Sequence, residues 1–117
     1  MTTKNPGGVS TLEYHVLLAM AAGPLYGYAI KEAVESESEG AVTPQAGSLY
    51  RVLARLMAWG LVTEVQPGEA VAPHPGRARR YYELTAGGRA TLAAEAGRLK
   101  GAVALAEKRL GVAGAGT

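Results

Sequence analysis

The sequence predicts a mainly α, α+β domain in which three short helices precede a two-stranded β hairpin and one long C-terminal helix. Three observations carry that expectation. Residues 47–58 sort apolar and polar side chains onto opposite faces at helical spacing. Two runs rich in β-branched and aromatic residues, 61–65 and 80–84, flank a segment with too many prolines and glycines for regular structure. Beyond residue 90, apolar residues recur at intervals of 4, 3, 4, 3 and 4. A chain of 117 residues that is 48% hydrophobic is expected to form one small domain with a core and little spare stability.

The elements follow in order. Residues 1–9, with Asn5-Pro6-Gly7-Gly8, read as a flexible arm. Ser10 or Thr11 can cap a first helix running to about Ala22, with Leu12, Val16, Leu17 and Met20 on one face, and Gly23-Pro24 ends it. A second helix is expected from Leu25 or Tyr26 to near Ser38, burying Ala29, Ile30, Ala33 and Val34 while Lys31, Glu32 and Glu35 face water. Thr43-Pro44 is a helix-start signal, with Thr as the cap and Pro in the first turn, so a third helix begins between residues 44 and 47 and stops at Gly60. Leu61 to Val65 and Arg80 to Leu84 then form the hairpin, whose long tip holds Pro67, Gly68, Pro73, Pro75 and Gly76. From Thr85 the chain turns helical again, and residues 111–117 read as a flexible tail.

The third helix is the first candidate site. Leu49, Val52, Leu53 and Leu56 fall on one side, while Ser48, Arg51 and Arg55 share the other with Gly47, Ala54 and Ala58. Guanidinium and hydroxyl groups beside very small residues suit a helix laid into the major groove of DNA. A solvated helix of no special function can carry the same face. The net charge of +2 does not by itself announce a polyanion partner, but its distribution adds weight: Glu35, Glu37 and Glu39 cluster in one segment and Arg77, Arg79 and Arg80 in another.

The last helix is the second candidate site. Leu92, Ala96, Leu99, Val103, Ala106 and Leu110 form a heptad seam, for which a second copy of the chain is the natural cover. Folding back onto the first helix is the alternative. Residues 10–84 are thus expected to be a DNA-binding unit and residues 85–110 a dimerisation helix.

Composition excludes several other classes. The absence of cysteine removes disulfides, thiolate metal sites and thiol redox sensing. The longest apolar run, residues 16–22, is too short to cross a bilayer and the start lacks a signal pattern, so a cytoplasmic chain with no membrane association is expected. His15 and His74 are far apart without ligand spacing, so neither a metal nor a cofactor is expected. No nucleophile with a base or metal partner can be assembled, which argues against an enzyme.

Helix, helix, helix, two-stranded wing and long helix is the order of a winged helix-turn-helix. Gly23-Pro24-Leu25-Tyr26-Gly27-Tyr28, Gly47-Ser48-Leu49-Tyr50-Arg51-Val52-Leu53, Gly60-Leu61-Val62 and Arg80-Tyr81-Tyr82-Glu83-Leu84-Thr85-Ala86-Gly87-Gly88-Arg89, taken in that order, resemble the PadR family of transcriptional regulators. The resemblance covers about Leu12 to Leu110. It implies a homodimeric repressor on a palindromic double-stranded DNA operator, with the third helix in the major groove, the wing on the flanking backbone and the last helix at the dimer contact. Ser48, Tyr50 and Arg51 match its recognition-helix signature, and Arg80, Tyr81 and Tyr82 its wing-to-helix signature, with Tyr82 expected to pack the wing on the core. Arg55, Arg77 and Arg79 are added by the face and charge arguments alone.

The chain departs from the family pattern in three places. Tyr26 replaces a common His, Gln45-Ala46 replaces a Ser-Pro start and leaves Thr43 to cap the third helix, and the wing tip is long and Pro-rich. Relatives respond to small aromatic or cationic effectors near the dimer interface. The single tryptophan here, Trp59, ends the third helix and offers no aromatic sandwich from the last one, so any small-molecule effector is unidentified. The competing functional reading is a protein-interaction winged helix that binds no DNA and offers its seam to a different partner.

Overall fold

The computed structural model describes residues 8–66 and 80–111. Seven elements follow in order: α1 (Thr11–Ala19), β1 (Leu25–Tyr26), α2 (Gly27–Glu37), α3 (Ala46–Ala58), β2 (Val62–Val65), β3 (Tyr81–Leu84) and α4 (Ala86–Leu110). The expected arm, the wing tip with His74, Arg77 and Arg79, and the expected tail lie wholly or largely outside the described residues.

α1 starts as a capping box. The Glu13 amide donates to Ser10 Oγ at 3.1 Å and the Ser10 amide donates to Glu13 Oε1 at 2.8 Å, so two orphan donors of the first turn are satisfied reciprocally. The helix ends at Ala19, short of Ala22, and a turn carries the chain to Pro24.

Two residues that periodicity assigns to the second helix instead form β1. Leu25 pairs with Tyr82 and Tyr26 with Tyr81, making an antiparallel three-stranded sheet of order β1-β3-β2. The wing hairpin keeps its expected place in that sheet, with Val62 opposite Leu84 and Val65 opposite Tyr81.

The start of α3 also differs from expectation. Its N-cap is Gln45, extended at φ −84° and ψ 158°, and neither the Gln45 side chain nor Thr43 caps the helix. Pro44 is buried ahead of the helix rather than sitting in its first turn. The far end follows the sequence closely. Gly60, at φ +77°, donates to Met57 O at 3.0 Å and Leu61 to Leu56 O at 2.9 Å, the paired bonds of a Schellman stop.

The core lies where the three short helices meet the sheet. Val16, Leu17 and Met20 of α1, Ile30 and Val34 of α2, the α3 quartet Leu49, Val52, Leu53 and Leu56, and Leu61, Val62, Tyr82 and Leu84 form one buried cluster. This is the apolar face that the α3 periodicity predicts. Tyr82, on the core side of β3, has its phenol pushed above the ordinary range, chiefly by burial.

α4 is joined to the α3–β2 turn through its first residues. Thr85 Oγ1 donates to Gly60 O at 2.6 Å and accepts from the Gly88 amide at 3.0 Å, while the Thr85 amide donates to Leu61 O at 3.0 Å. A Cβ on Gly88 would collide with the Leu61 carbonyl, so only glycine allows the helix to come this close. From end to end the 25 residues of α4 run about 37 Å at 1.5 Å per residue. Leu92 packs against the core of its own domain, and Val103 and Leu110 stand exposed farther along.

Candidate nucleic-acid interface

The outward face of α3 is built from the residues its core face leaves over. Leu49, Val52, Leu53 and Leu56 point inward, so helical geometry turns Gly47, Arg51, Ala54 and Ala58 to solvent, with Ser48 half-buried at the edge. Arg51 curls back along this face toward the N-terminus of the helix. Its Nη2 lies 3.4 Å from Ser48 Oγ, and a Cβ on Gly47 would come to 3.8 Å from its Nη1. A guanidinium, a hydroxyl and a bare backbone therefore share one exposed turn.

Tyr50 lies at the seam between α3 and α2. It is 51% exposed, and its ring crosses the first turn of α2 so closely that a side chain on Gly27 would displace the phenol. Tyr28, 59% exposed, stands beside it, and Gly27, Tyr28, Lys31, Ala46, Leu49 and Tyr50 line a shallow cleft between the two helix starts. Neither helix start carries a side-chain capping bond. Tyr28 falls inside the Gly23–Tyr28 motif, and its position in the first turn of a helix beside a Gly that admits a neighbour is the signal that marks it.

The hairpin root supplies the next cation. Arg80 is 74% exposed on its side chain, with Nε 3.5 Å from Glu64 Oε2 on the facing strand. Burial, with Glu64 and Tyr50, pushes the Tyr82 phenol up against the opposing pull of Arg80. Tyr81 is half-buried, its ring edge-on to Tyr26 at 5.7 Å between centroids. Glu64 was missed by the sequence analysis, since a lone acid in a strand reads as a solvated residue.

Arg55 has a different surrounding. Its Nε and Nη2 both lie 2.7 Å from Glu13 Oε2 of α1, and its guanidinium sits 5.7 Å from the centre of the Trp59 ring. The helical face predicted for Arg55 is the one observed, but the group is engaged by a buried acid.

Of the proposed seam on α4, Ala96, Val103, Ala106 and Leu110 are exposed, Leu99 is half-buried, and Leu92 belongs in part to its own core. Leu105, 44% exposed, projects from the opposite side of the helix. Among the described residues no group of three or more His, Cys, Asp and Glu could hold a metal ion, and no helix is long and apolar enough to cross a membrane.

The sequence model of the Transcriptional regulator PadR-like family matches residues 16–94, a stretch running from the core of α1 into α4. The chain belongs to the PadR-like family. An uncharacterized 37.1 kDa protein in transposon Tn4556 of Streptomyces fradiae is 44% identical over 91 residues, 75% of this chain and 24% of its own length. The chain thus spans about a quarter of that curated relative.

Solved PadR-like structures share the fold. A PadR family transcription regulator from Clostridium difficile R20291 superposes with a TM-score of 0.70 at 19% identity, covering 86% of this chain and 99% of that one. A PadR-like transcription factor from Bacteroides fragilis gives 0.59 at 26% identity over 86% of each chain. Bacillus subtilis PadR in complex with operator DNA gives 0.58 at 23% identity, covering 71% of this chain and 45% of that one.

Proposed function

We propose that this PadR-like chain is a DNA-binding transcriptional repressor that acts as a homodimer on a palindromic operator and is released by an effector. The observation that carries the reading is the exposed turn of α3, where Arg51 lies over Ser48 and the bare backbone of Gly47. Such a turn lets the helix backbone approach base edges while an Arg and a hydroxyl reach them or the adjacent phosphates. Arg51 and Ser48 enter the groove in this reading. Tyr28 and Tyr50 donate to phosphate oxygens next to the uncapped starts of α2 and α3, where backbone N–H groups favour an anion. Arg80 and the adjoining Tyr81 meet the flanking backbone, and Arg77 and Arg79, which precede them in sequence, carry charge of the same sign.

The C-terminal half of α4 supports pairing of two copies. Val103 and Leu110 are large apolar residues left in water, with Ala106 between them and Ala96 ahead of them along the stripe, and a two-fold partner presenting the same stripe covers it. Two α3 helices one turn of DNA apart, about 34 Å, then meet the two half-sites of an inverted repeat. A small molecule releases the operator only by favouring a dimer in which that spacing differs.

The test begins with purified protein and a pool of random-sequence duplexes. Selection is expected to return an inverted repeat whose half-site centres lie about 10 base pairs apart, bound by a dimer in light scattering. Recovery of no duplex, with the chain still dimeric, would instead favour a winged helix that binds protein.

A further inference from the structure

Glu13 is the charged residue buried in the described structure, at 6% exposure, and both of its oxygens are occupied. Oε1 accepts the Ser10 amide at 2.8 Å, and Oε2 accepts Arg55 Nε and Nη2 at 2.7 Å each. The two residues are 42 positions apart in sequence, on α1 and on the recognition helix α3. We propose that the Glu13–Arg55 pair fixes the roll of α3 about its own axis, so that Arg55 is a positioning residue for the DNA-facing turn and acts through Glu13 rather than on DNA. This rests on the proposed function.

Three features lead there. Arg55 Nε and Nη2 are both committed to Glu13, so a phosphate that took those donors would leave a buried carboxylate without its counter-charge, which is far costlier than losing an exposed pair. Arg55 is also held from the side by Trp59, so its guanidinium is fixed by an acid and an aromatic face together. Arg51 lies one helical turn before Arg55 on the same face, so whatever fixes one fixes the direction of the other. A 20° roll would carry a side-chain head about 6 Å from the helix axis through about 2 Å, enough to break a hydrogen bond to a base edge. The turn that follows α1 is itself tied to the last helix, because Arg89 Nη1 donates to Ala21 O at 3.1 Å, so the pin relates α3 to the helix proposed to join the two copies.

The experiment uses Glu13→Gln, Arg55→Met and the double variant in the full chain, with the duplex selected by the wild type. Gln still satisfies a capping box, so Glu13→Gln spares the start of α1 while removing the charge that holds Arg55. Operator and scrambled duplexes are titrated across a salt series at a temperature where circular dichroism shows all proteins folded, and Trp59 emission is recorded without DNA. Each single variant is expected to lose about 10-fold in preference for operator over scrambled duplex, with the double variant losing no more than the worse single, the salt slope of Glu13→Gln unchanged, and Trp59 emission altered in both singles. Simple destabilisation would not move the preference of folded protein. Tighter binding by Glu13→Gln with a steeper salt slope would overturn the inference, since it would mean Arg55 had been freed to reach phosphate. Additive losses would overturn it as well. If the wild type selects no duplex, the proposed function fails and takes this inference with it; if the wild type selects one and Glu13→Gln retains full preference, only the inference fails.

Discussion

Glu64→Gln tests whether the root of the hairpin faces DNA. Arg80 Nε lies 3.5 Å from Glu64 Oε2, with the two side chains 74% and 43% exposed. Two unit charges at that distance attract by about 1.2 kcal/mol in bulk water. Exposed pairs retain only about 0–1 kcal/mol once side-chain entropy and screening are counted. The fold therefore loses little when the pair is broken, and the melting temperature should fall by no more than roughly 4–8 °C. DNA binding responds in the opposite direction. The same carboxylate shares the guanidinium and repels any phosphate approaching it, so its removal adds about one unit of positive charge per protomer where the backbone arrives. For a two-fold dimer the slope of log K against log salt then steepens by about 1.8, from two further phosphates at about 0.9 each. Between roughly 50 and 200 mM salt that amounts to about a 12-fold larger loss of affinity than the wild type suffers. Fluorescence anisotropy of a labelled selected duplex measures it. Glu64→Gln should bind tighter at low salt with the steeper line, and Arg80→Gln should give the shallowest line of the three. Parallel lines for all three proteins would remove Arg80 from the contact surface.

Three further outcomes are expected. Arg51→Ala should cost about 1–3 kcal/mol on the selected duplex and relax base preference at one position of each half-site, measured by anisotropy against single-substituted duplexes. Gly88→Ala places a methyl on the Leu61 carbonyl and must push the start of α4 off the Gly60–Leu61 turn, so the Thr85 bonds weaken. Loss of a cap and of one buried backbone bond predicts about 2 kcal/mol or more, seen as a fall in thermal midpoint of roughly 10 °C. Gly97 and Gly101 have open space where a Cβ would go, and they lie across the helix from the seam. Ala at both should stabilise by about 0.5–1 kcal/mol each in a thermal melt and leave the dimer intact on light scattering.

What the sequence made legible was local. The α3 quartet, the Gly60 stop and the Ser10 cap each depend on residues within one or two turns, and periodicity or a capping signal exposes them directly. What it hid was set by distant partners. Leu25 and Tyr26 continue a helical pattern, yet they pair as a strand because β3 offers backbone groups on that edge. Thr43-Pro44 has the form of a helix start, but Gln45 is the extended N-cap, Pro44 is buried ahead of it, and the helix begins only at Ala46. Arg55 has the periodicity of the exposed face, and nothing in its own helix announces a carboxylate 42 residues upstream. Glu13 was equally silent, since its capping role already accounts for a Glu three residues after a Ser. A heptad spacing cannot say what covers it, and Leu92 shows the consequence by turning to its own core.

The motifs that mark the family serve in this chain as joints as much as contacts. Gly27 admits the Tyr50 ring, which sets how α2 meets α3, and Gly88 admits the Leu61 carbonyl, which sets how the hairpin root meets α4. Both joints depend on the absence of a side chain: at Gly88 a Cβ would meet backbone and shift an element, whereas at Gly27 it would displace the Tyr50 phenol. Within Gly47-Ser48-Leu49-Tyr50-Arg51 the work then alternates by residue: Leu49 is core, Tyr50 bridges to α2, and Gly47, Ser48 and Arg51 face outward. A change of operator preference that keeps the fold should therefore be sought at Ser48, Arg51 and Ala54, whose side chains leave the joints alone.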